Sequence, residues 1–368
     1  MIHEQISLRN TICLGMSLVI SNSILQGLPP QVGQDGWISL LLSFVITVPM
    51  VTIYARILSL YPGMDLFDIL ERALGKWGGR IYMIIYTWYF FHLGALVLNS
   101  FSQFIGLVGL PTTPIIMVMA ALAIPVLYLM KSGVGILGKW AGAMLFFAAI
   151  TLALVFIFSL SIIDFRHFQP VFSHSIGELS LGAGQISLLP FLEIFVITGF
   201  AGSFQKQGKV HSPYRVLITA SLVSAGFVLF IFIRVLGTLG PETLRSIYFP
   251  TYKATSIIRI GSFAERIESV VTFAYILSGI TKISVCATSA MKGVAKLAGL
   301  QDYRSMGFPL CMALLALCSF VYQSLLDFTG FMTYYRFYGI LLLVLLPLLL
   351  WVLAERRHKK EAKQLSVG

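Results

Sequence analysis

Charge is scarce in this sequence. Only 11% of its residues are Asp, Glu, Lys or Arg, and acids are rarer than bases, 15 against 26. A water-soluble chain of 368 residues needs more charge than that to cover its surface, so the ordinary soluble classes are excluded. Cysteine is also sparse: Cys13, Cys286, Cys311 and Cys318 all fall in apolar runs. That placement points to buried free thiols. Cys311 and Cys318 can share a helix face, but with no nearby His or carboxylate they make a poor metal site. There is no Walker lysine motif and no nucleophile–base cluster, so neither ATP-driven pumping nor an enzyme is supported, and no cofactor is expected. Gly133, Gly135 and Gly138 match G-x-G-x-x-G, but they sit in a short turn between Lys131 and Lys139. The preceding strand that a dinucleotide fingerprint requires is missing.

What is present is apolar length. Hydrophobic residues make up 57% of the chain and the mean hydropathy is +0.88. About ten stretches are each long enough to cross a bilayer: 9–28, 36–60, 80–107, 113–131, 138–161, 183–203, 213–236, 266–291, 308–325 and 334–354. A hydrocarbon core of roughly 30 Å needs about 20 apolar residues as helix, and backbone amides in lipid must bond within their own segment. With the N-terminus inside, 18 of the 26 Lys and Arg fall on the cytoplasmic side. Seven, Arg166, Arg234, Arg245, Lys253, Arg259, Arg266 and Arg336, fall on the other, and Lys282 lies within a span. This bias predicts that both termini are cytoplasmic. The basic charge therefore reads as a topology signal with some attraction for anionic membrane lipid, not as a nucleic-acid surface. The first apolar run lacks a basic leader and is expected to remain as the first helix.

Ten helices with both ends on one side divide into two five-helix halves of opposite orientation, 1–161 and 162–354, followed by a basic tail, 355–368, that we expect to be mobile. The predicted fold is all-α and integral to the membrane, a 5+5 inverted repeat with broken first and sixth helices. The breaks are expected at Ser21-Asn22-Ser23, where Ser and Asn compete for backbone hydrogen bonds, and at Pro190, which removes an amide donor.

Glu193 follows Pro190 by one turn and is the one acid placed deep in a span. A carboxylate there is expensive unless paired, hydrated or protonated, so it is either a ligand or proton site or a structural acid bonded to a neighbouring helix. Lys282 is its natural partner, in the polar strip Ser278-Gly279-Ile280-Thr281-Lys282-Ile283-Ser284. It either pairs with Glu193, stands in for a bound cation, or snorkels to the cytoplasmic face. Tyr82, Tyr86 and Tyr89 follow helical spacing on the third span, with His92 and Asn99 beyond them. Tyr86 and Tyr89 are candidate ligand contacts, although aromatics in spans also serve packing, and His92 reads as a packing residue. The candidate ligand-binding set is therefore Ser21, Asn22, Ser23, Tyr86, Tyr89, Pro190, Glu193, Ser278 and Lys282.

The stretch Gly33-Gln34-Asp35-Gly36-Trp37-Ile38-Ser39 resembles the signature that opens the second helix of bacterial spore-germination receptor B subunits. Gln5-Ile6-Ser7, Pro190-Phe191-Leu192-Glu193 and Lys282-Ile283-Ser284 are similar to that family too, and the resemblance covers essentially the whole chain. It implies a permease fold of the amino acid–polyamine–organocation (APC) type, similar to LeuT, and residence in the inner membrane of the endospore. It also implies a complex with a larger membrane A subunit and a lipoprotein C subunit, in which the B subunit recognises a small-molecule germinant. The family commonly has glycine at the first-helix break, where this chain has Ser21-Asn22-Ser23. Gly36 replaces a usual alanine, which reads as a small change. By residue type alone, Asp35 reads as an N-cap and Trp37 as an interfacial anchor.

Two functions fit these residues: a germinant-binding receptor subunit whose ligand is an amino acid, or an amino-acid permease coupled to H⁺ or Na⁺. A third reading, a scaffold whose polar residues only pack helices, predicts that changes at Asn22, Glu193 and Lys282 alter assembly alone.

Overall fold

The computed structural model describes residues 4–206, 209–258, 264–321 and 325–367. Arg259 and the end of the ninth predicted span, 322–324, lie outside the described residues. Among the described residues ten helical stretches are long and apolar enough to cross a membrane, the number expected. Spans one to five are α1 (Leu8–Gln26), α2 (Gly36–Leu60), α3 (Leu66–Val108), α4 (Ile115–Ser132) and α5 (Val134–Ser159). Span six is composite: α6 (Ile176–Ile186), a π turn at Ser187–Phe191 and a 3₁₀ stretch at Leu192–Ser203. Span seven is α7 (Pro213–Ser246), and the short α8 (Pro250–Ser256) separates it from span eight, α9 (Ala264–Ala298). Span nine is α10 (Gly307–Val321); span ten joins α11 (Leu325–Gly339), a π turn at Ile340–Leu345 and α12 (Leu346–Val367). An even number of crossings puts both ends of the chain on one face, the terminal face; the other is the far face. A two-residue hairpin, Gln205–Lys206 with Lys209–Val210, is the one strand pairing among the described residues.

Several helices overrun their apolar runs. α3 begins at Leu66, where Asp65 caps it by accepting the Asp68 amide at 3.1 Å, and bends at Gly75 (φ 76) shortly before the predicted start near 80. α7 continues past Gly240 and Pro241, which read as loop formers in the sequence. Gly240 takes φ 75, which bends the chain there, and Pro241 opens a new turn. Arg234, at the end of the predicted seventh span and counted among the outer charges, is inside α7 and fully buried. The tail is not the mobile segment expected: α12 runs to Val367, with Glu355 paired to Arg56 at 2.6 Å and Glu361 to Arg72 at 2.9 Å.

The expected break in the first helix is absent, while that in the sixth is present. Ser21 and Ser23 donate their hydroxyls to the carbonyls of Ser17 (2.5 Å) and Val19 (3.1 Å), four residues back in the same helix. Their capacity to compete with the backbone is spent inside α1, which stays helical to Gln26. In span six Pro190 cannot donate to the Ile186 carbonyl, and the ladder shifts to the wider π pattern, with the Leu192 amide reaching the Ser187 carbonyl.

The bundle core is built on α3 and α9, which run antiparallel. Three positions spaced by seven on α3, Thr87, Gly94 and Phe101, face three spaced by seven on α9, Gly293, Cys286 and Gly279. A glycine on one helix meets a larger residue on the other at all three levels. A Cβ on Gly279 would lie 2.6 Å from the Phe101 ring, and one on Gly293 would strike Thr87 and Phe67. A seven-residue repeat keeps one seam in contact along two slightly supercoiled helices, and small residues let the backbones approach where lipid offers no hydrophobic drive. Span six is held from the side by hydroxyls: Ser39 donates to Leu179 O at 3.0 Å and Ser187 to Ser43 O at 3.0 Å.

Overpacking this seam should be costly. Gly279→Val is expected to destabilise the bundle by about 1–3 kcal/mol, read as a lower Tm in detergent. Gly184→Ala, which meets open space on α6, should leave Tm unchanged. Equal Tm values for the two variants would remove the seam from its proposed central place.

Candidate functional site

Glu193 opens the 3₁₀ stretch directly after the π turn, fully buried. Its Oε2 accepts from Lys282 Nζ of α9 and from Asn22 Nδ2 of α1 at 3.1 Å; its Oε1 accepts from Tyr335 Oη of α11 at 3.1 Å. Lys282 also donates to the Leu18 carbonyl at 2.8 Å, and Tyr335 Oη lies 3.4 Å from Tyr89 Oη. One carboxylate thus ties spans one, six, eight and ten. Lys282 pairs and does not snorkel. Beside this network, Ser21 Oγ accepts from Ser278 Oγ at 2.8 Å and lies 2.9 Å from Ser278 O, which joins α1 to α9.

Above the network lies a cavity of about 480 Å³. The end of α1, the π turn and α11 enclose it; Asn22, Ser23, Pro190, Met332, Tyr335 and Arg336 are among its lining. A neighbouring recess of about 20 Å³, which shares Asn22, Leu189, Met332 and Tyr335 with it, is bordered by Glu193. Of the predicted ligand set, the structure brings Asn22, Ser23 and Pro190 to the cavity wall and Glu193 to the recess. Ser21, Ser278, Lys282 and Tyr89 lie behind that wall as its supports, outside the cavity lining. Tyr86 is packed against Phe195 at 5.0 Å, away from the cavity, and its hydroxyl has no hydrogen-bond partner among the described residues. His92 stacks on Trp88 at 5.5 Å and meets Tyr338 Oη at 3.2 Å, the packing role expected of it.

Sequence reasoning missed Tyr335 and Arg336. Arg336, at the start of the predicted tenth span, was counted only among the outer-side charges, yet it lines the cavity. The signal was there: Met332, Tyr335 and Arg336 stand at i, i+3 and i+4, one face of a helix.

The Gly33–Ser39 motif has a different task. Asp35 does not cap α2; its carboxylate, fully buried, crosses to the loop after span five. It accepts from three successive amides, Phe172 (2.8 Å), Ser173 (2.8 Å) and His174 (3.1 Å), and from Ser173 Oγ and His174 Nδ1. Successive amides around a left-handed residue form an anion-binding nest, and Phe172 has φ 60. Gln34 Nε2 adds a bond to Ser173 Oγ at 2.7 Å, and Trp37 packs edge-on to Phe172 at 6.3 Å. His174 Nε2 meets Arg245 Nη2 at 3.2 Å, so the end of α7 joins the clamp. Gly33 bends the chain at φ 45 beside His174. Gly36 is no small change: a Cβ there would lie 2.7 Å from the Phe232 ring.

With this geometry in hand, comparison with known proteins is direct. Residues 5–327 match the spore germination protein family, a permease family. The chain belongs to that family. The germination protein is 24% identical over 318 residues to spore germination protein KB of Bacillus subtilis, covering 85% of this chain and 84% of that one. It is 25% identical over 273 residues to spore germination protein A2 of the same organism, 74% of each. Among solved structures it is similar to MhsT in complex with L-phenylalanine, with a TM-score of 0.63 and 12% identity, over 86% of this chain and 79% of that one. At that identity the likeness concerns fold: the germination protein has the LeuT-type bundle of two inverted five-helix halves.

Two outcomes follow from the contacts. Glu193→Gln or Lys282→Met alone leaves a buried charge without its partner and should cost about 3–5 kcal/mol; the double variant should lose less than the sum, as coupled neighbours do. Additive losses would mean the two groups do not interact. Asp35→Ala should speed hydrogen exchange of the Phe172, Ser173 and His174 amides at least about tenfold, the effect of losing a charge-assisted bond; unchanged exchange would mean that other contacts hold the loop.

Proposed function

We propose that this germination protein is the ligand-sensing B subunit of a spore nutrient-germinant receptor, a binding protein and not an enzyme. The observation that carries the reading is the cavity. It joins the interrupted sixth span to the ends of α1 and α11, and the neighbouring recess is bordered by Glu193, whose network holds four spans together. Its volume of about 480 Å³ falls within the roughly 300–1,000 Å³ usual for small-molecule sites. Walls that mix Leu28, Leu189 and Met332 with amides and hydroxyls suit an amino acid. The amino acid bound by MhsT supports this by fold-level analogy.

On this reading the germinant rests against Asn22, Ser23 and the peptide groups around Pro190. Ser21, Tyr89, Ser278, Glu193 and Lys282 fix the geometry of that wall. Ligand binding favours one of two arrangements of the bundle, because a ligand shifts an equilibrium only by its differential affinity for the two states. A membrane A subunit and a lipoprotein C subunit read the shift. The halves are 1–161 and 162–354, with 355–368 as the tail. The site lies in the inner membrane of the endospore, with both termini on the cytoplasmic, spore-core side, supported by the Lys/Arg bias.

The LeuT-type fold favours a second reading, an amino-acid permease coupled to H⁺ or Na⁺. Retention of labelled amino acids by proteoliposomes of graded size separates the two. Counts proportional to protein whatever the vesicle volume are the expected result and indicate binding without passage. Counts that grow with internal volume would establish transport and overturn the sensor-only reading.

A further inference from the structure

Arg336 is the one charged residue lining the 480 Å³ cavity among the described residues. It lies in a membrane span, yet it is exposed, and no carboxylate pairs with it among the described residues. Its guanidinium carbon sits 4.9 Å over the Phe337 ring, a contact that leaves the donors of the guanidinium free. An ionisable side chain in a span is costly unless it faces a partner or a water-filled space, and here the space is the cavity.

The rest of the wall completes the charge pattern. Glu193, the acid at the recess, has both oxygens engaged by Lys282, Asn22 and Tyr335. Its charge is matched by Lys282, so the cavity keeps an uncompensated positive charge. Asn22 commits its amide nitrogen to Glu193, which leaves its carbonyl oxygen to accept from a ligand donor. Leu28, Leu189 and Met332 supply apolar surface between these polar points.

We infer that Arg336 is the anion-binding contact of this cavity, and that its ligand carries a carboxylate on a neutral, largely apolar body. The inference rests on the reading of the cavity as the germinant site and names the ligand class that site selects. A zwitterionic amino acid places its carboxylate on Arg336 and its ammonium on the Asn22 oxygen, with its side chain on the apolar wall. A second cationic group on the ligand finds no free acid. A neutral sugar leaves the guanidinium without a counter-charge.

The test uses purified full-length protein in zwitterionic-lipid nanodiscs, with thermal shift and equilibrium binding read for a panel of neutral, apolar L-amino acids, each beside its own carboxamide. An amino acid is expected to bind while its carboxamide binds roughly 10- to 100-fold more weakly, the effect of one charge-assisted bond. Arg336→Gln should remove that preference and weaken the acid to the level of the amide. Arg336→Lys, which keeps the charge but not the fork, should retain part of it. Unliganded Tm should be the same for all three proteins, which separates a contact from a folding defect. Acid and carboxamide binding equally well to wild type would overturn the assignment of Arg336 while leaving the cavity a ligand site. A Tm effect of Arg336→Gln confined to nanodiscs with anionic lipid would overturn it by reassigning the guanidinium to a headgroup. Failure of every amino acid and every carboxamide to bind would overturn the amino-acid reading and this inference together.

Discussion

A carboxylate buried among apolar helices must be neutralised, and in this protein the way Glu193 is neutralised sets the positions of four spans. The carboxylate sits where Pro190 has disturbed the helix, and its partners come from α1, α9 and α11. Replacing such a pair by well-packed apolar residues is often neutral or stabilising, so the pair is weak support for stability as its purpose. Its effect is positional. Asn22 and Tyr335 are turned by it toward the space above, and that space is the cavity. The α3–α9 seam bears the packing and frees span six to depart from regular helix.

The number and places of the spans were legible because hydrophobic length is a property of single segments. Glu193 and Lys282 were legible for a related reason: an isolated charge in an apolar run has few structural uses. Tyr335 and Arg336 were hidden because an aromatic and a base near the start of a span look like interfacial anchors, and only the fold reveals that both line the cavity. The supposed break at Ser21–Ser23 failed because residue type says which groups want hydrogen bonds and not where they find them; these hydroxyls found carbonyls four residues back. The Gly33–Ser39 motif marked the family without disclosing its task, since the amides that Asp35 gathers lie about 140 residues further on.

The clamp at Asp35 and the network at Glu193 solve one physical problem in two settings. Each brings a carboxylate out of water and satisfies its lone pairs with donors from distant parts of the chain. At Asp35 the donors are backbone amides, and the product is a fixed loop at the far face joining the entrance of α2 to the end of α7. At Glu193 they are side chains, and the product is a set of helices that meet at one point.

Lys282 has one more consequence. A metal ion beside a carboxylate comes and goes with its concentration in the surroundings, so a site that depends on one is filled or vacant according to the medium. The ammonium of Lys282 is covalently part of the chain and sits beyond the reach of bulk solvent, where mobile ions screen little. Its occupancy has no dissociation constant. The Glu193–Lys282 pair therefore keeps the same two charges behind the cavity wall in fresh water and in brine.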